Sequence, residues 1–437
     1  MVKVKAICRV PEECTRETRK DINKQFKNPD STLHPLQKAR EYKRALNSAK
    51  LEKIFAKPFV HSLSEHTDSV YSLSRSDKYL SLVVSGSCNG EVKLWDLTSF
   101  TCKKSFEDSH RGFVTGVSFR KDHFISSGQD CVVKLYGLDG AVQSYNSSMG
   151  LQGCDFSWSE EAFVSCGNDG VELWDVNRSH PIGTFEWGHD TTTKAKYNPA
   201  ESHLVGSVCL DRSIILIDTR ANSCLNKITT KLKSNDLAWN PREPMNFTVA
   251  NEDGNLYTFD MRYTEEPKKI HKDHLNAVTS VAYSATGREF VSGSFDKTIR
   301  IFDIREGRSR EVYHGRRMQW VYSVEFTGDG KFVLSGSDDT NIRVWKARAH
   351  LPLKTLLPRE EEAINYREKL KNQYKHVPQV RKILRHRHLP KLLYRLRKKK
   401  QVMKESEYRK EQNRRANTKA ENIKDVSLKK QVVINQG

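Results

Sequence analysis

The chain has 437 residues, enough for one large domain or two ordinary ones, and its 74 Lys and Arg against 54 Asp and Glu give a formal net charge of +20. The charge lies at the two ends. Residues 1–53 carry 14 basic and 7 acidic residues, and residues 346–437 carry 27 and 9, so the middle keeps 33 basic and 38 acidic residues. This asymmetry excludes a uniformly basic fold and indicates a polyanionic partner bound through the ends.

The first residues, MVKVKAICRV, lack the apolar core of a secretory signal, and no run approaches the roughly 18 to 20 apolar residues of a membrane helix. The nine cysteines include no Cys-x-x-Cys pair, so neither a zinc ribbon nor a redox motif is indicated. We therefore expect a soluble intracellular protein with free thiols, without a metal or other cofactor and without a membrane partner.

A basic N-terminal segment, residues 1–33, precedes a helical extension over residues 34–56. Pro35 suits a first helical turn, and no further Pro or Gly follows until Pro58. Apolar residues recur at intervals of three and four, at Ala39, Tyr42, Leu46 and Ala49. This pattern predicts a helix that docks on the edge of the following domain, and a partner-binding role is compatible with that position.

Seven similar segments follow: SGSCNGEVKLWD, SSGQDCVVKLYG, SCGNDGVELWD, SVCLDRSIILID, ANEDGNLYTFD, SGSFDKTIRIFD and SGSDDTNIRVWK. Their closing large residues are Trp95, Tyr136, Trp174, Ile217, Phe259, Phe302 and Trp345, at intervals of 41, 38, 43, 42, 43 and 43 residues. Such a period is typical of WD40 blades. The sequence predicts an all-β fold: a seven-bladed WD40 β-propeller over residues 57–348, with basic α-helical N- and C-terminal extensions. Because the last repeat lacks an outer strand, we expect residues 57–64 to complete its blade and close the ring.

All seven repeats carry an acidic or amide residue in a tight turn, and four also have a histidine upstream. The turn residues are Asn89, Asp130, Asp169, Asp211, Asp253, Asp296 and Asp339, and the histidines are His66, His110, His189 and His274. A catalytic pair would occur once, with its partners converging on one pocket. These residues recur from blade to blade, so we interpret them as scaffold.

The C-terminal domain, residues 349–437, begins with a predicted helix over PREEEAINYREKLKNQYKHVP. Next comes RKILRHRHLPKLLYRLRKKK, residues 381–400, with ten basic residues and no acid. Arg, Tyr and His side chains together allow phosphate pairing and base stacking, so we favour an RNA-contacting arm that can double as an import signal. An import signal alone and a protein-binding helix remain alternatives. The candidate RNA-binding residues are Arg381, Lys382, Arg385, Arg387, Lys391, Arg395, Arg397, Lys398, Lys399 and Lys400.

The segments HPLQKAREYKRALNSAKLEKIFAKPFV (34–60), SREVYHGRRMQWVYSVEF (309–326) and RHRHLPK (385–391), together with the seven repeats, resemble the suppressor-of-fibrillarin (Sof-type) WD-repeat family. The resemblance implies a nucleolar component of the small-subunit processome, required for maturation of 18S ribosomal RNA. Its expected partners are pre-18S rRNA, the U-three snoRNP and other processome proteins, in the nucleus and nucleolus. Arg316 and Arg317 are a candidate further contact on a propeller rim.

Animal members of this family are also described as associated with a cullin-four ubiquitin ligase, whose receptors dock the ligase adaptor through an aromatic-Asp-x-Arg strand ending. The candidate adaptor contacts here are Asp218 with Arg220, Asp260 with Arg262, and Asp303 with Arg305. The first departs from the pattern because Ile217 replaces the aromatic residue. The alternative is a common propeller ending whose Arg reaches a neighbouring turn acid.

No P-loop, metal-ligand cluster or nucleophile motif occurs in the sequence. We therefore predict a non-enzymatic scaffold of the small-subunit processome without a small-molecule substrate. A substrate receptor of a cullin-RING ubiquitin ligase is the alternative.

Overall fold

The computed structural model describes residues 35–186, 190–221, 223–419 and 427–436. The basic segment 1–33 and His189 lie outside the described residues. The described chain forms two compact units, one from residues 35–57 with His350–His386, the other from Pro58–Ala349 with residues 387–436. The predicted C-terminal domain, residues 349–437, is thus divided between the two units.

The smaller unit is helical. Its helices are α1 (Gln37–Ile54), α2 (Pro358–Gln373) and α3 (Pro378–Leu384). Both α2 and α3 begin at proline, whose fixed φ suits the first helical position. Helix α1 packs against α2 and α3, and Leu370 of α2 and Val380 of α3 are buried.

The buried face of α1 is Ala45, Ser48 and Ala49. Of the predicted apolar stripe, Ala49 is therefore buried, whereas Tyr42 and Leu46 are only partly buried and Ala39 is exposed. Small side chains let helix backbones approach closely, and a serine fits such a contact as well as an alanine does. The helix prediction is correct, and the predicted stripe overlaps the contact face only in part: Ala49 is buried and Tyr42 packs on Tyr374 with ring centroids 6.0 Å apart, whereas Ala39 is exposed.

The larger unit contains seven antiparallel sheets in the described residues, each of four or five strands, which confirms the predicted seven-bladed propeller. Blade 1 contains β2 (Val70–Arg75), β3 (Leu82–Ser87), β4 (Val92–Asp96) and β5 (Thr101–Phe106), and blade 2 contains β6 (Val114–Arg120), β7 (His123–Gly128), β8 (Val132–Gly137) and β9 (Val142–Asn146). Blade 3 contains β10 (Leu151–Phe156), β11 (Ala162–Gly167), β12 (Val171–Asp175) and β13 (Gly183–Phe185). Blade 4 contains β14 (Thr192–Tyr197), β15 (Leu204–Cys209), β16 (Ser213–Asp218) and β17 (Ser223–Thr230). The first strand of each blade contacts the first strand of the next blade, so these strands surround the central axis.

Blades 5 to 7 complete the ring. They consist of β18 (Ser234–Trp239), β19 (Asn246–Asn251), β20 (Asn255–Asp260), β21 (Lys269–Lys272); β22 (Val278–Tyr283), β23 (Glu289–Ser294), β24 (Ile299–Asp303), β25 (Ser309–Tyr313); and β26 (Val321–Phe326), β27 (Phe332–Ser337), β28 (Ile342–Lys346), with β1 (Phe59–Leu63) as the outer strand. Strand β1 pairs antiparallel with β28, from Phe59 opposite Trp345 to Leu63 opposite Ile342. Residues from the start of the propeller therefore close its last blade, in the manner expected for residues 57–64.

The large residues that close the seven repeats are all buried, none more than 2% exposed. Serines on the neighbouring strands accept hydrogen bonds from three indole nitrogens: Trp95 donates to Ser85 at 2.7 Å, and Trp174 and Trp345 donate to Ser165 and Ser335 at 2.9 Å. The apolar rings thus fill the space between blades, while the buried indole N–H groups remain satisfied.

The last part of the chain belongs to the propeller unit. Helix α4 (Lys391–Ala416) is followed by β29 (Val433–Gln436), which pairs antiparallel with β17 as the fifth strand of blade 4. Val432 is 7% exposed and joins the apolar core of blades 4 and 5. This region is therefore attached to the ring at both of its described ends. No helix among the described residues is long and apolar enough to cross a membrane.

Candidate nucleic-acid interface

The structure places the predicted RNA-binding residues in two groups. Arg381, Lys382 and Arg385 belong to the smaller unit, at α3 and just after it, and all three are exposed. The other seven belong to the propeller unit, on the segment that leads into α4 and on α4 itself. In this second group, Arg387 and Lys400 donate hydrogen bonds to carbonyl oxygens of the propeller.

The segment before α4 is fastened to blade 6. The guanidinium of Arg387 donates to the carbonyl of Ser309 at 3.1 Å, and burial lowers the pKa of Arg387 although Glu311 lies nearby. The ring of His388 stacks on that of His314, with centroids 5.4 Å apart. Arg387 is thus engaged with protein, and its first role in this structure is to anchor the segment.

Helix α4 contacts the propeller through few of its side chains. Leu393 is buried, and Lys400 is half-buried, with its Nζ 3.4 Å from the carbonyl oxygen of His274. Most of the other predicted contacts are exposed: Lys391, Arg395, Arg397, Lys398 and Lys399. Within the described part of the chain, none of these five side chains forms an ion pair within 4.0 Å. The helix therefore presents several uncompensated cations on a fixed support.

Exposed apolar and aromatic side chains lie among these cations. Leu392, Tyr394 and Leu396 are 70%, 62% and 46% exposed, and Tyr408 is 65% exposed. Aromatic rings beside cations can stack on bases while the cations pair with phosphates. This mixture agrees with the interpretation of the sequence as an RNA-contacting surface.

Four further cations on or beside α4 were not predicted from the sequence. Lys404 and Arg409 lie on the helix, and Lys272 and Arg308 are supplied by blades 5 and 6. The spacing of Lys400 and Lys404, four residues apart and therefore on one helix face, could have been noticed in the sequence. The two propeller residues could not, because only the docking of α4 brings them close to it.

Below Lys400 lies one of the repeated His–Asp networks. His274 bonds the Asp296 carboxylate at 2.9 Å and the Ser292 hydroxyl at 2.7 Å, and burial lowers the pKa of His274 although Asp296 opposes this shift. The neutral ring can thus donate to the carboxylate and accept from the serine.

Blade 2 repeats this arrangement with His110, Asp130 and Ser126. Burial likewise lowers the pKa of His110. In blade 1, His66 bonds Ser85, and burial lowers the pKa of His66 to about 4. Recurrence of the geometry in several blades identifies these residues as scaffold.

Two blades without the histidine use a different polar partner. In blade 7 the guanidinium of Arg343 bonds the Asp339 carboxylate, with Nη1 and Oδ1 3.0 Å apart, and in blade 5 the Tyr257 hydroxyl donates to Asp253. The turn acid is therefore satisfied in these blades by a residue from the following strand.

The candidate rim residues Arg316 and Arg317 are both exposed, on the loop between β25 and β26. The neighbouring Met318 is 2% exposed and anchors this loop in the fold, whereas Trp320 is 48% exposed and packs on Phe295 with ring centroids 5.5 Å apart. The loop therefore displays two cations and an indole on a fixed base.

The three Asp-x-Arg endings differ in geometry. Arg262 pairs with Asp260 through two hydrogen bonds of 3.0 and 2.8 Å, and these bonds lower the pKa of the Asp260 carboxyl. Arg220 approaches Asp218 at 3.5 Å, and both arginine side chains are largely exposed.

At the third ending, the Asp303 carboxylate accepts the backbone N–H of Arg305 at 2.8 Å. The arginines at the first two endings thus fold onto the aspartate two residues earlier. The alternative interpretation expected them to reach a neighbouring turn acid instead.

No group of three or more His, Cys, Asp or Glu suited to hold a metal ion occurs among the described residues.

Three family models match the chain. Residues 347–433 match the Sof1-like domain, residues 146–367 match the N-terminal domain of nucleolar protein 10-like proteins, and residues 57–96 match the WD domain, G-beta repeat. The first match covers residues from both structural units.

Similar curated proteins have the name DDB1- and CUL4-associated factor 13. The protein from Xenopus tropicalis is 45% identical over 443 residues, and that from Homo sapiens is 44% identical over 443 residues, each covering 99% of both chains. The protein from Dictyostelium discoideum is 42% identical over 406 residues, 91% of both chains. Near-complete coverage at this identity confirms the resemblance found in the sequence, and the chain belongs to the Sof1-like family of WD-repeat proteins that includes these factors.

Proposed function

We propose that this protein is a non-catalytic scaffold of the small-subunit processome in the nucleolus, where it contacts pre-18S rRNA and the U-three snoRNP through its basic extensions. The observation that carries the proposal is the display of unpaired cations on α4, a helix fixed to the propeller by Arg387, His388 and Leu393. The family membership supports a role in ribosome biogenesis or as a cullin-four adaptor.

The mechanism is electrostatic and geometric. Lys and Arg on α4 neutralise phosphates and fix the register of the RNA, and the exposed Tyr394 and Tyr408 offer rings to unpaired bases. Because the helix is already held on the ring, RNA binding does not have to order a free tail, and less affinity is lost to conformational entropy. The rims of the propeller remain available for protein partners.

Crosslinking the full-length protein to RNA in cells, followed by sequencing of the bound RNA, tests the proposal. Recovery of small-subunit precursor and its guide RNA is the expected result. In vitro, affinity for single-stranded RNA should fall by about 0.7 log units per tenfold rise in salt for each phosphate neutralised. A flat salt response together with an unrelated RNA profile contradicts the proposal.

The second candidate function is that of a substrate receptor of a cullin-RING ubiquitin ligase. The relatives bear the names of two ligase components, and Arg262 is exposed at an Asp-x-Arg ending with an aromatic residue before it. Under this proposal, Arg262→Ala and Arg305→Ala abolish co-purification of the DDB1 adaptor, while the protein remains folded and nucleolar.

Arg220→Ala is the matched control, because Ile217 departs from the aromatic pattern at that ending. Adaptor capture by the first two variants at the level of the control rejects the receptor function. Turnover of nucleotide or peptide by the purified protein would reject the non-catalytic assignment.

A further inference from the structure

A cleft of about 920 Å³ separates α4 from the top of blades 5 and 6. One wall is a single face of α4, formed by residues three or four apart, which lie on the same side of a helix. The helix residues are Arg397, Lys400, Gln401, Lys404, Glu405, Tyr408 and Arg409. The charged residues on the opposite wall are Lys272, Asp273 and Arg308. We call this space the α4 cleft.

The lining of the α4 cleft is strongly cationic. It contains six Lys or Arg residues and only two carboxylates. Both carboxylates are occupied: Asp273 accepts hydrogen bonds of 2.9 and 2.8 Å from the backbone and hydroxyl of Ser309, and Glu405 accepts one of 2.9 Å from Gln401. Over the described ranges, none of the six cations has an acidic partner within 4.0 Å.

The cations on the two walls act on each other. Burial lowers the pKa of Lys272, and the charge of Lys404 on the facing helix lowers it further. The same two effects, burial and Lys404, lower the pKa of Lys400, and the carboxylates of Asp253 and Asp296 do not compensate. Bringing these three ammonium groups together is therefore unfavourable, and an anion bound between them would relieve that repulsion.

The arrangement of the charges indicates the kind of anion. The helix supplies cations over successive turns, each about 5.4 Å along the axis, so the cleft suits several neighbouring anionic groups better than one isolated ion. Lys and Arg are the usual partners of phosphate, and Arg can bond it with two N–H groups. Tyr408, largely exposed at the edge of the cleft, offers a ring surface to a base.

We propose that the α4 cleft binds adjacent phosphate groups, supplied by a single-stranded RNA backbone or by a free polyphosphate. For RNA as the ligand, this inference rests on the proposed function and assigns the contact to a defined site that includes the propeller residues Lys272 and Arg308. For a free polyphosphate it is independent of the proposed function.

The test uses the full-length protein and three probes: a labelled single-stranded RNA, inositol hexakisphosphate and polyglutamate. The cleft variant is Lys272→Gln with Lys404→Gln, one change on each wall. The control variant is Lys231→Gln with Lys331→Gln, which removes two exposed cations of the propeller that lie outside both α4 and the cleft. Circular dichroism and thermal unfolding verify that both variants fold.

We expect the cleft variant to bind RNA at least about 10-fold more weakly than wild type and to lower the slope of log affinity against log salt by about 1.4, as for two lost phosphate contacts. The control variant should stay within about 2-fold of wild type. Inositol hexakisphosphate should compete with RNA on the wild type, and polyglutamate at equal charge should not.

The outcomes separate this inference from the proposed function. RNA binding that is equal in the cleft and control variants overturns the cleft as the RNA contact and leaves the proposed function standing. Binding of inositol hexakisphosphate that is also equal in the two variants overturns the cleft altogether. Binding of inositol hexakisphosphate that depends on Lys272, without RNA binding, supports the cleft and overturns the RNA contact. Equal competition by polyglutamate overturns the assignment to phosphate, because an acidic peptide would then satisfy the site.

Discussion

Replacing Asp296 by alanine tests whether the His–Asp network below α4 holds the loop that forms one wall of the cleft. The Asp296 side chain is 1% exposed and accepts four hydrogen bonds. The donors are the His274 ring at 2.9 Å, the Leu275 amide at 3.2 Å, and the amide and hydroxyl of Thr298 at 3.0 and 2.5 Å. Alanine leaves the imidazole and two backbone amides without a partner in a buried site.

Each buried donor that loses its partner costs about 1–3 kcal/mol, so the imidazole and the two amides together cost at least about 3 kcal/mol. We therefore expect Asp296→Ala to lower the free energy of unfolding by about 3–5 kcal/mol. Asn89 occupies the same place in blade 1 but is exposed, where it donates to Thr67 at 2.6 Å and accepts from the Glu91 amide at 3.0 Å. Its replacement by alanine should cost only about 1 kcal/mol.

Thermal unfolding followed by circular dichroism measures the difference. At about 2 °C per kcal/mol for a domain of this size, we expect the midpoint to fall by about 6–10 °C for Asp296→Ala and by about 2 °C for Asn89→Ala. Hydrogen exchange should show loss of protection in the loop that contains His274. If the two variants lost the same stability, the buried network would not be what fixes this loop, and the reasoning would be refuted.

Three further predictions concern the propeller. The Glu325 side chain is 22% exposed and lies 3.7 Å from the Arg75 guanidinium, and burial raises the pKa of Glu325 to about 7. Its contribution to stability is therefore complete below about pH 4.5 and is lost as the pH rises through 7. In urea unfolding, Glu325→Gln should therefore gain up to about 3 kcal/mol relative to wild type between pH 4.5 and 8, and a pH-independent difference would contradict this. Gly90 has φ +90°, and a Cβ there would overlap a backbone carbonyl, so Gly90→Ala should cost about 3 kcal/mol or more. Gly140→Ala, with φ +103° but only an ordinary contact of 3.8 Å to the Lys104 side chain, should cost about 1–2 kcal/mol. Equal midpoints for the two variants would show that the overlap at residue 90 is relieved. Val432→Asp should release β29 and expose the end of the chain to limited proteolysis, whereas Asp at the 58%-exposed Ile434 should not; equal protection of the two variants would argue against anchoring by Val432.

The propeller could be predicted because each repeat carries its own evidence. A closing ring such as Trp95 or Phe302, a turn acid such as Asp296 and small residues before it recur at a nearly constant period, so one misread blade does not change the result. The closing strand could also be inferred, since a ring needs an outer strand for its last blade and the apolar segment before the first repeat was available. These features are set by residues close together in the sequence, so they can be recognised without knowledge of the fold.

The candidate site was predictable only in part. The charge of α4 is visible in the sequence, but Lys272 and Lys404 are far apart along the chain, and their proximity depends on where the helix docks. In the sequence Arg387 is one of ten candidate RNA-binding cations, but in the structure its hydrogen bond to the Ser309 carbonyl attaches the segment before α4 to blade 6. Strand β29 is four residues long and pairs only with a distant edge, so no period could indicate it. Long-range docking is set by shape and burial, which a local pattern does not contain.

The pairing of β1 with β28 affects how the chain folds during synthesis. The strand around Phe59 leaves the ribosome long before its partner around Trp345 has been made, so its edge stays open while six blades form behind it. Joining these two strands closes a very long loop, a slow step that comes late in folding. During that interval the nascent chain exposes an unpaired sheet edge, which can pair with other chains and cause aggregation. We therefore expect chaperones to be needed until β1 has paired with β28.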